Sequence, residues 1–217
     1  MTTTLTLCTY WRSSSSHRVR LALGYKGLTY EPVFVNLLEG EQKSAANLAK
    51  NPIGHVPTLL VDGVPYVESV AIMELLEELY PEPALLPKRA DDRARVRSLV
   101  EIVNAGIQPL QNLVVLEKVG DDKEKRKEWL QYFIGRGLAA FEKLLERFEK
   151  EAGVHGPFAF GSAFTMADCS LLPQIHAARR HGVDLSKLTR ITRAEQAAHE
   201  LPFVKAAAPE AQPDAKA

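Results

Sequence analysis

Cysteine is scarce in this chain, and long apolar runs are missing. The two cysteines of the 217 residues, Cys8 and Cys169, lie far apart, and neither sits in a CxxC pair or a Cys/His cluster. Structural zinc is therefore not expected, no metal site is assigned, and a reducing, cytoplasmic setting is the default. No apolar stretch is long enough to span a bilayer, so no membrane partner is expected. The opening Met1-Thr2-Thr3-Thr4 has no basic n-region, which argues against a secretory leader. Net charge is zero, with 27 Lys+Arg against 27 Asp+Glu, so total charge gives no argument for nucleic acid as a partner. GxGxxG, Walker and GxSxG patterns are missing too. What is present is 46% apolar residues, enough for a packed core in one large domain or two small ones.

The most informative stretch is Arg12-Ser13-Ser14-Ser15-Ser16-His17-Arg18-Val19-Arg20. An apolar run, Leu5 to Tyr10, feeds into it, and an amphipathic segment, Val19 to Leu23, leaves it. That order predicts strand, serine-rich loop, helix. Serines at a helix start offer hydroxyls, and the first turn offers N–H groups that lack intrahelical acceptors. The same end carries the positive pole of the helix dipole and attracts phosphate, carboxylate or thiolate. For one serine, a helix cap with a polar loop is the better account. Four in a row between Arg12, Arg18 and Arg20 keep an anion site open. His17 has no evident triad partner, so a serine nucleophile is not expected.

Further along, Gly24 and Gly27 are expected to loosen and end the first helix. Tyr30 to Val35 predicts a second strand, and Glu39 to Lys50 a short exposed helix. Thr58 to Val61, Asp62-Gly63 and Val64 to Val67 predict a hairpin. Ser69 is expected to cap a helix with Ile72, Leu75, Leu76 and Leu79 on one face, stopped by Pro81. The resulting order, β-α-β-α-β-β-α, predicts a small mixed sheet with helices on both faces.

From Ala90 onward every apolar pattern is helical: Val96 to Leu110, Ile134 to Phe148, and Ala167 to Ala178. The fold class is thus an α/β domain followed by an all-α one. Pro81 to Lys88 is the expected linker. Pro109 is expected to bend the first long helix beside Gly106. The tail from Lys205 is Ala, Pro and charge, and is expected to be disordered.

Several positions admit two readings. Pro57, in His55-Val56-Pro57-Thr58, is an ordinary strand-entry proline or a cis-proline turn exposing the Val56 backbone to a peptide-like ligand. Ser69 is a plain N-cap, or also holds a ligand carboxylate, with Glu68 near a ligand ammonium. Gln108 and Asn112, four apart, are solvated amides or a shared polar face. Arg179 and Arg180 complement a helix dipole or reach a substrate. Thr165-Met166-Ala167-Asp168 reads as a capping box with Asp in place of Glu.

Together these segments resemble the cytosolic glutathione transferases of the zeta class, which includes the maleylacetoacetate isomerases. The stretch from Tyr10 to Arg20 is similar to the zeta signature, aromatic-Arg-Ser-Ser-Cys-Ser-x-Arg-Val-Arg. His55-Val56-Pro57-Thr58-Leu59 resembles the family's cis-proline segment, Glu68-Ser69 its Glu/Gln-Ser pair, and Thr165 to Asp168 its folding cap. Gly106-Ile107-Gln108-Pro109-Leu110-Gln111-Asn112 resembles a zeta-specific stretch. One departure is clear: Ser15 stands where the family usually has cysteine, so that thiol is not essential here.

The resemblance implies a thioredoxin-like domain over 1–82 that holds reduced glutathione. It also implies a helical, substrate-binding domain over 89–204, with 205–217 as the tail. By the same resemblance Ser13 is the catalytic serine, with Ser14 and Ser15 beside it. Glutathione would be held by these three together with Gln42, His55, Val56, Pro57, Glu68, Ser69, Gln108 and Asn112. Arg12 and Arg180 are the candidates for the substrate's carboxylates. The implied reaction is cis–trans isomerisation of a diketo diacid in tyrosine breakdown, with homodimerisation as a family expectation. Maleylpyruvate isomerase, a general transferase on halogenated acids, and a glutathione-binding module without turnover are the alternatives.

Overall fold

The structure is a computed structural model that describes residues 3–215. Met1 and Thr2, part of the expected leaderless start, and the last two residues of the tail lie outside the described residues. The chain divides into two units, 1–84 with 201–217, and 85–200.

The first unit carries a four-stranded sheet in the order β2-β1-β3-β4. Its strands are β1 (Leu5–Thr9), β2 (Glu31–Phe34), β3 (Thr58–Val61) and β4 (Val64–Val67). β1 pairs parallel with β2 and antiparallel with β3, and β3 pairs antiparallel with β4. Asp62 and Gly63 both have positive φ, 49° and 82°, as a tight hairpin turn requires. Helices α1 (Ser14–Tyr25), α2 (Ala45–Leu48) and α3 (Ser69–Leu79) complete β-α-β-α-β-β-α. Leu7, Val19, Leu21, Leu23, Leu59, Ile72, Met73 and Leu76 form the fully buried centre.

The serines are not a loop ahead of the first helix but its opening turn, because the Ser13 side chain caps it at once. Gly24 does not end α1. A Cβ there would come within 3.1 Å of Phe203 Cβ, so glycine is what lets the returning chain pack closely. The helix stops at Lys26, and Gly27 follows at φ +64°.

The second unit holds α4 (Ala90–Asn104), α5 (Leu113–Val119), α6 (Lys123–Ala152), α7 (Met166–Arg180) and α8 (Thr189–His199). The expected Pro109 bend does not occur within a helix. α4 ends at Asn104, and Pro109 is the second residue of a 3-10 turn over Gln108–Gln111, where its missing N–H costs nothing. Gln108 and Asn112 therefore do not share a helical face. Asn112 is instead the N-cap of α5, accepting from the Val114 N–H at 3.1 Å.

The tail departs most from expectation. Pro202–Ala207 forms α9 and Pro209–Ala211 a 3-10 turn, both in the first unit. Alanines allow close approach, Val204 and Ala207 are buried, and Phe203 stacks against Tyr25 with ring centroids 5.6 Å apart. Composition suggested disorder, but packing on α1 and hydrogen bonds outweigh it.

α7 opens with the expected capping box. The Asp168 carboxylate accepts from the Ala159 and Thr165 N–H groups, both at 2.8 Å, and from Thr165 Oγ at 3.0 Å. Burial pushes this carboxyl up to about 6, against the pull of those hydrogen bonds. The folded value lies above the unfolded one, near 3.9. Its stabilising contribution is therefore complete below about pH 4 and declines as pH rises through 6. We expect urea denaturation to show a loss of about 2–3 kcal/mol from this group between pH 4 and pH 7. Asp168→Asn removes that pH dependence, and parallel profiles for the two proteins would contradict the assignment.

Candidate functional site

Strand register gathers the first unit's candidates at one end of the sheet. Cys8 of β1 faces Thr58 of β3, and Thr58 faces Val67 of β4. The carboxyl end of β1, the start of β3 and the end of β4 therefore coincide. From them emerge Tyr10 to Ser13, Val56-Pro57 and Glu68-Ser69.

Ser13 is the N-cap of α1, and its Oγ accepts from the Ser16 N–H at 3.1 Å. Its own N–H donates to Tyr10 O at 3.0 Å, and its carbonyl accepts from His17 N at 2.9 Å. The Ser13 hydroxyl proton is left free to donate outward. Ser14 and Ser15 are the first two helical residues, half-buried, with N–H groups for which the helix supplies no acceptor. A twelve-residue helix points its positive pole at the same place.

The Val56–Pro57 peptide bond is cis. Val56 is buried and His55 half-buried, and the His55 carbonyl accepts from Asn51 Nδ2 at 3.2 Å. Gln42 stands close by: a Cβ on Gly54 would lie 3.1 Å from the Gln42 carbonyl. Gln42 Oε1 is buried and lacks a hydrogen-bond partner.

At α3 the N-cap is Glu68, not Ser69, and Glu68 adopts φ 66°, ψ 116°. That conformation is strained for a residue with a side chain, as is common where a ligand is clamped. Ser69 is the first helical residue. Its Oγ accepts from Arg18 Nη1 at 3.1 Å, tying α3 to α1.

Arg12 is exposed, with its guanidinium 5.1 Å from the Trp11 ring centroid. Arg18 and Arg20 are not part of an open basic rim. Both are almost fully buried, at 1% and 2% exposure. Arg20 donates to Ala207 O, Thr9 Oγ1, Tyr10 O and Trp11 O at 3.1–3.4 Å. It is a strut of the β1–α1 connection and not a carboxylate ligand. Burial lowers its pKa to about 10, so it remains charged at neutral pH.

Gln108, Asn112 and Arg180 belong to the second unit. Gln108 and Asn112 are half-buried, and Arg180 is exposed at the end of α7. Arg179 is engaged by Glu195, with Nε 2.9 Å from Oε1. Sequence reasoning gave no role to Gln111, whose amide exchanges two 3.2 Å hydrogen bonds with the buried Gln174. It also missed Asp214, which lies in a segment expected to be disordered. A lone Asp in an Ala/Pro tail carries no signal.

The donor set fits an anionic, peptide-like ligand that also carries an ammonium group. It combines unpaired first-turn N–H groups and hydroxyls for anions, an acidic Glu68 for an ammonium, and a buried, unpartnered amide oxygen at Gln42 for a donor.

Known proteins resemble this chain over nearly its whole length. The N-terminal domain family of glutathione S-transferase matches residues 7–84, and the C-terminal domain family matches residues 121–205. A maleylacetoacetate isomerase of Pseudomonas aeruginosa is 43% identical, with 97% of this chain and 99% of that protein covered. The crystal structure of a maleylacetoacetate isomerase from Anaeromyxobacter dehalogenans, with glutathione bound in the active site, is 47% identical. It superposes with a TM-score of 0.87, covering 99% of both chains. The holo structure of a maleylpyruvate isomerase, described as a bacterial zeta-class glutathione S-transferase, is 41% identical. Its TM-score is 0.92, with 97% of this chain and 100% of that one covered. The chain belongs to the glutathione S-transferase family, and within it to the zeta class.

Proposed function

We propose that this protein catalyses the glutathione-dependent cis–trans isomerisation of maleylacetoacetate to fumarylacetoacetate, a step of tyrosine and phenylalanine breakdown. The observation that carries this reading is a helix opening with Ser13, Ser14 and Ser15 beside Val56-Pro57 and Glu68-Ser69 at one sheet end. Bound glutathione supplies a thiolate that adds to the activated alkene, makes that bond single so that it can rotate, and then leaves.

The chain's own residues must hold that sulfur anionic near neutral pH. A free thiol has a pKa of about 8.5, and lowering it by roughly two units takes about 2.7 kcal/mol. A helix N-terminus contributes about 0.3–1 kcal/mol. A hydrogen bond to a charged group adds roughly 1.5–3 kcal/mol. The α1 dipole alone falls short, whereas the dipole with a Ser13 or Ser14 hydroxyl suffices. Serine is thus a donor to sulfur, and Ser15 takes the place of the usual cysteine without supplying a thiol. The Ser69 N–H and hydroxyl take a glutathione carboxylate, Glu68 its ammonium, and the Val56 backbone and Gln42 its peptide groups. His55 and Pro57 shape the turn. Gln108 and Asn112 keep the glutathione-binding roles that the zeta resemblance assigns them. Arg12 and Arg180 hold the diacid's carboxylates. The protein works in the cytoplasm as a homodimer.

Maleylpyruvate is the second reading, favoured by the similarity to a maleylpyruvate isomerase. Turnover of both acids with and without glutathione decides. We expect isomerisation only with glutathione, and a higher kcat/KM for maleylacetoacetate. Arg180→Ala should raise KM for the diacid about tenfold while leaving KM for glutathione unchanged. Retention on immobilised glutathione without turnover of either acid would make the chain a binding module instead.

A further inference from the structure

The residues just ahead of the serines leave the sheet at Thr9 and are held by the returning chain end. The Trp11 N–H donates to Asp214 Oδ2 at 2.9 Å. The Trp11 carbonyl accepts from Arg20 Nη2 at 3.1 Å. The Tyr10 carbonyl accepts from both Arg20 Nη1 and the Ser13 N–H. Arg20 Nε in turn donates to Ala207 O of α9. Gln212 Nε2 donates to Ala206 O at 2.8 Å and Ala208 O at 3.0 Å, which fixes the turn leading to Asp214. Among the described residues, the charged and titratable neighbours of Asp214 include the Arg20 guanidinium and the Tyr30 phenol. The Asp214 hydrogen bond is made to the backbone of the serine connection, across 203 positions of sequence.

We infer that Asp214 is a positioning residue for the serines: its carboxylate fixes the Trp11 amide and, with Arg20, sets the backbone from which Ser13 and Ser14 present their hydroxyls. The inference rests on the isomerase reading above. Displacement of a hydroxyl donor by a fraction of an ångström weakens a hydrogen bond to an anion steeply. Loss of the Asp214 contact should therefore reach the sulfur although Asp214 does not touch it.

The test compares Asp214→Ala with Asp214→Asn, whose amide oxygen still accepts from Trp11. Thiolate absorbance of bound glutathione is titrated against pH, and exchange of the Trp11 amide is followed in the ligand-free protein. Asp214→Ala should raise the thiol pKa by about one unit, roughly a tenfold loss of thiolate below it. It should also speed Trp11 exchange and lower kcat at neutral pH, with recovery at higher pH. Asp214→Asn should stay within about 0.3 unit of wild type. A folded alanine variant with the wild-type thiol pKa overturns the inference, as does an asparagine variant as impaired as alanine. Should the alanine variant not fold, Asp214→Ser takes its place, because its side chain is too short to reach Trp11. Ser14→Ala, run in parallel, separates the two ideas. If it raises the thiol pKa while Asp214→Ala does not, this inference alone fails. If Asp214→Ala, Ser14→Ala and Ser13→Ala all leave it unmoved, the serines are not the donors and the inference fails with them, while the isomerase reading is decided separately by glutathione-dependent turnover of the wild-type protein.

Discussion

Ser14→Ala is expected to raise the pKa of enzyme-bound glutathione by about 1–2 units, the equivalent of one hydrogen bond to an anion. Isomerase kcat at pH 6.5 should fall roughly five- to fiftyfold and recover as pH rises, because the remaining machinery is intact once the thiol ionises on its own. Ser14 makes the cleaner test because it caps nothing. Ser13 both caps α1 through the Ser16 N–H and offers its proton outward. Ser13→Ala should therefore combine a similar rise in thiol pKa with a stability loss of about 1 kcal/mol. Ser13→Thr, which can still cap, should recover the stability. Thiolate absorbance gives the first quantity and urea denaturation the second. Wild-type titration in both alanine variants would remove the serines from the mechanism.

Arg20→Met carries the largest expected effect on the fold itself. The guanidinium is 2% exposed and donates four hydrogen bonds, three of them to backbone carbonyls of Tyr10, Trp11 and Ala207. Methionine fills much of the volume but satisfies none of these acceptors. The Tyr10 carbonyl keeps the Ser13 N–H, so Trp11 O, Ala207 O and Thr9 Oγ1 lose their donor; at about 1–3 kcal/mol each, a total loss of at least about 3 kcal/mol is expected. Arg20→Lys should recover little, since an ammonium cannot reproduce the planar fork that reaches four acceptors in different directions. The denaturation midpoint is the readout. A midpoint within error of wild type for Arg20→Met would show that the network contributes little.

These two results bear on how far the sequence alone leads. The strands, the hairpin at Asp62-Gly63, and the long amphipathic helices α4, α6 and α7 were legible, because periodicity and turn chemistry are local. The Tyr10 to Arg20, Val56-Pro57 and Glu68-Ser69 segments were legible as candidates because each is a recognisable motif. Their convergence was not, since it depends on the register that sets Cys8, Thr58 and Val67 side by side. Arg18 and Arg20 looked like an electropositive surround, and only packing reveals them as buried struts. The tail was misjudged for a related reason. Low apolar content argues for disorder only when nothing else holds the backbone, and here Gly24, Arg20 and Trp11 do. Ser69 was expected as a cap, yet Glu68 holds that position with positive φ. No local propensity favours such a backbone, so it is set by its surroundings.

The most direct measurement is the pH titration of thiolate absorbance for glutathione bound to the wild-type protein. The account predicts a midpoint about two units below the free thiol, near 6.5. A midpoint at about 8.5, unchanged by binding, would contradict it.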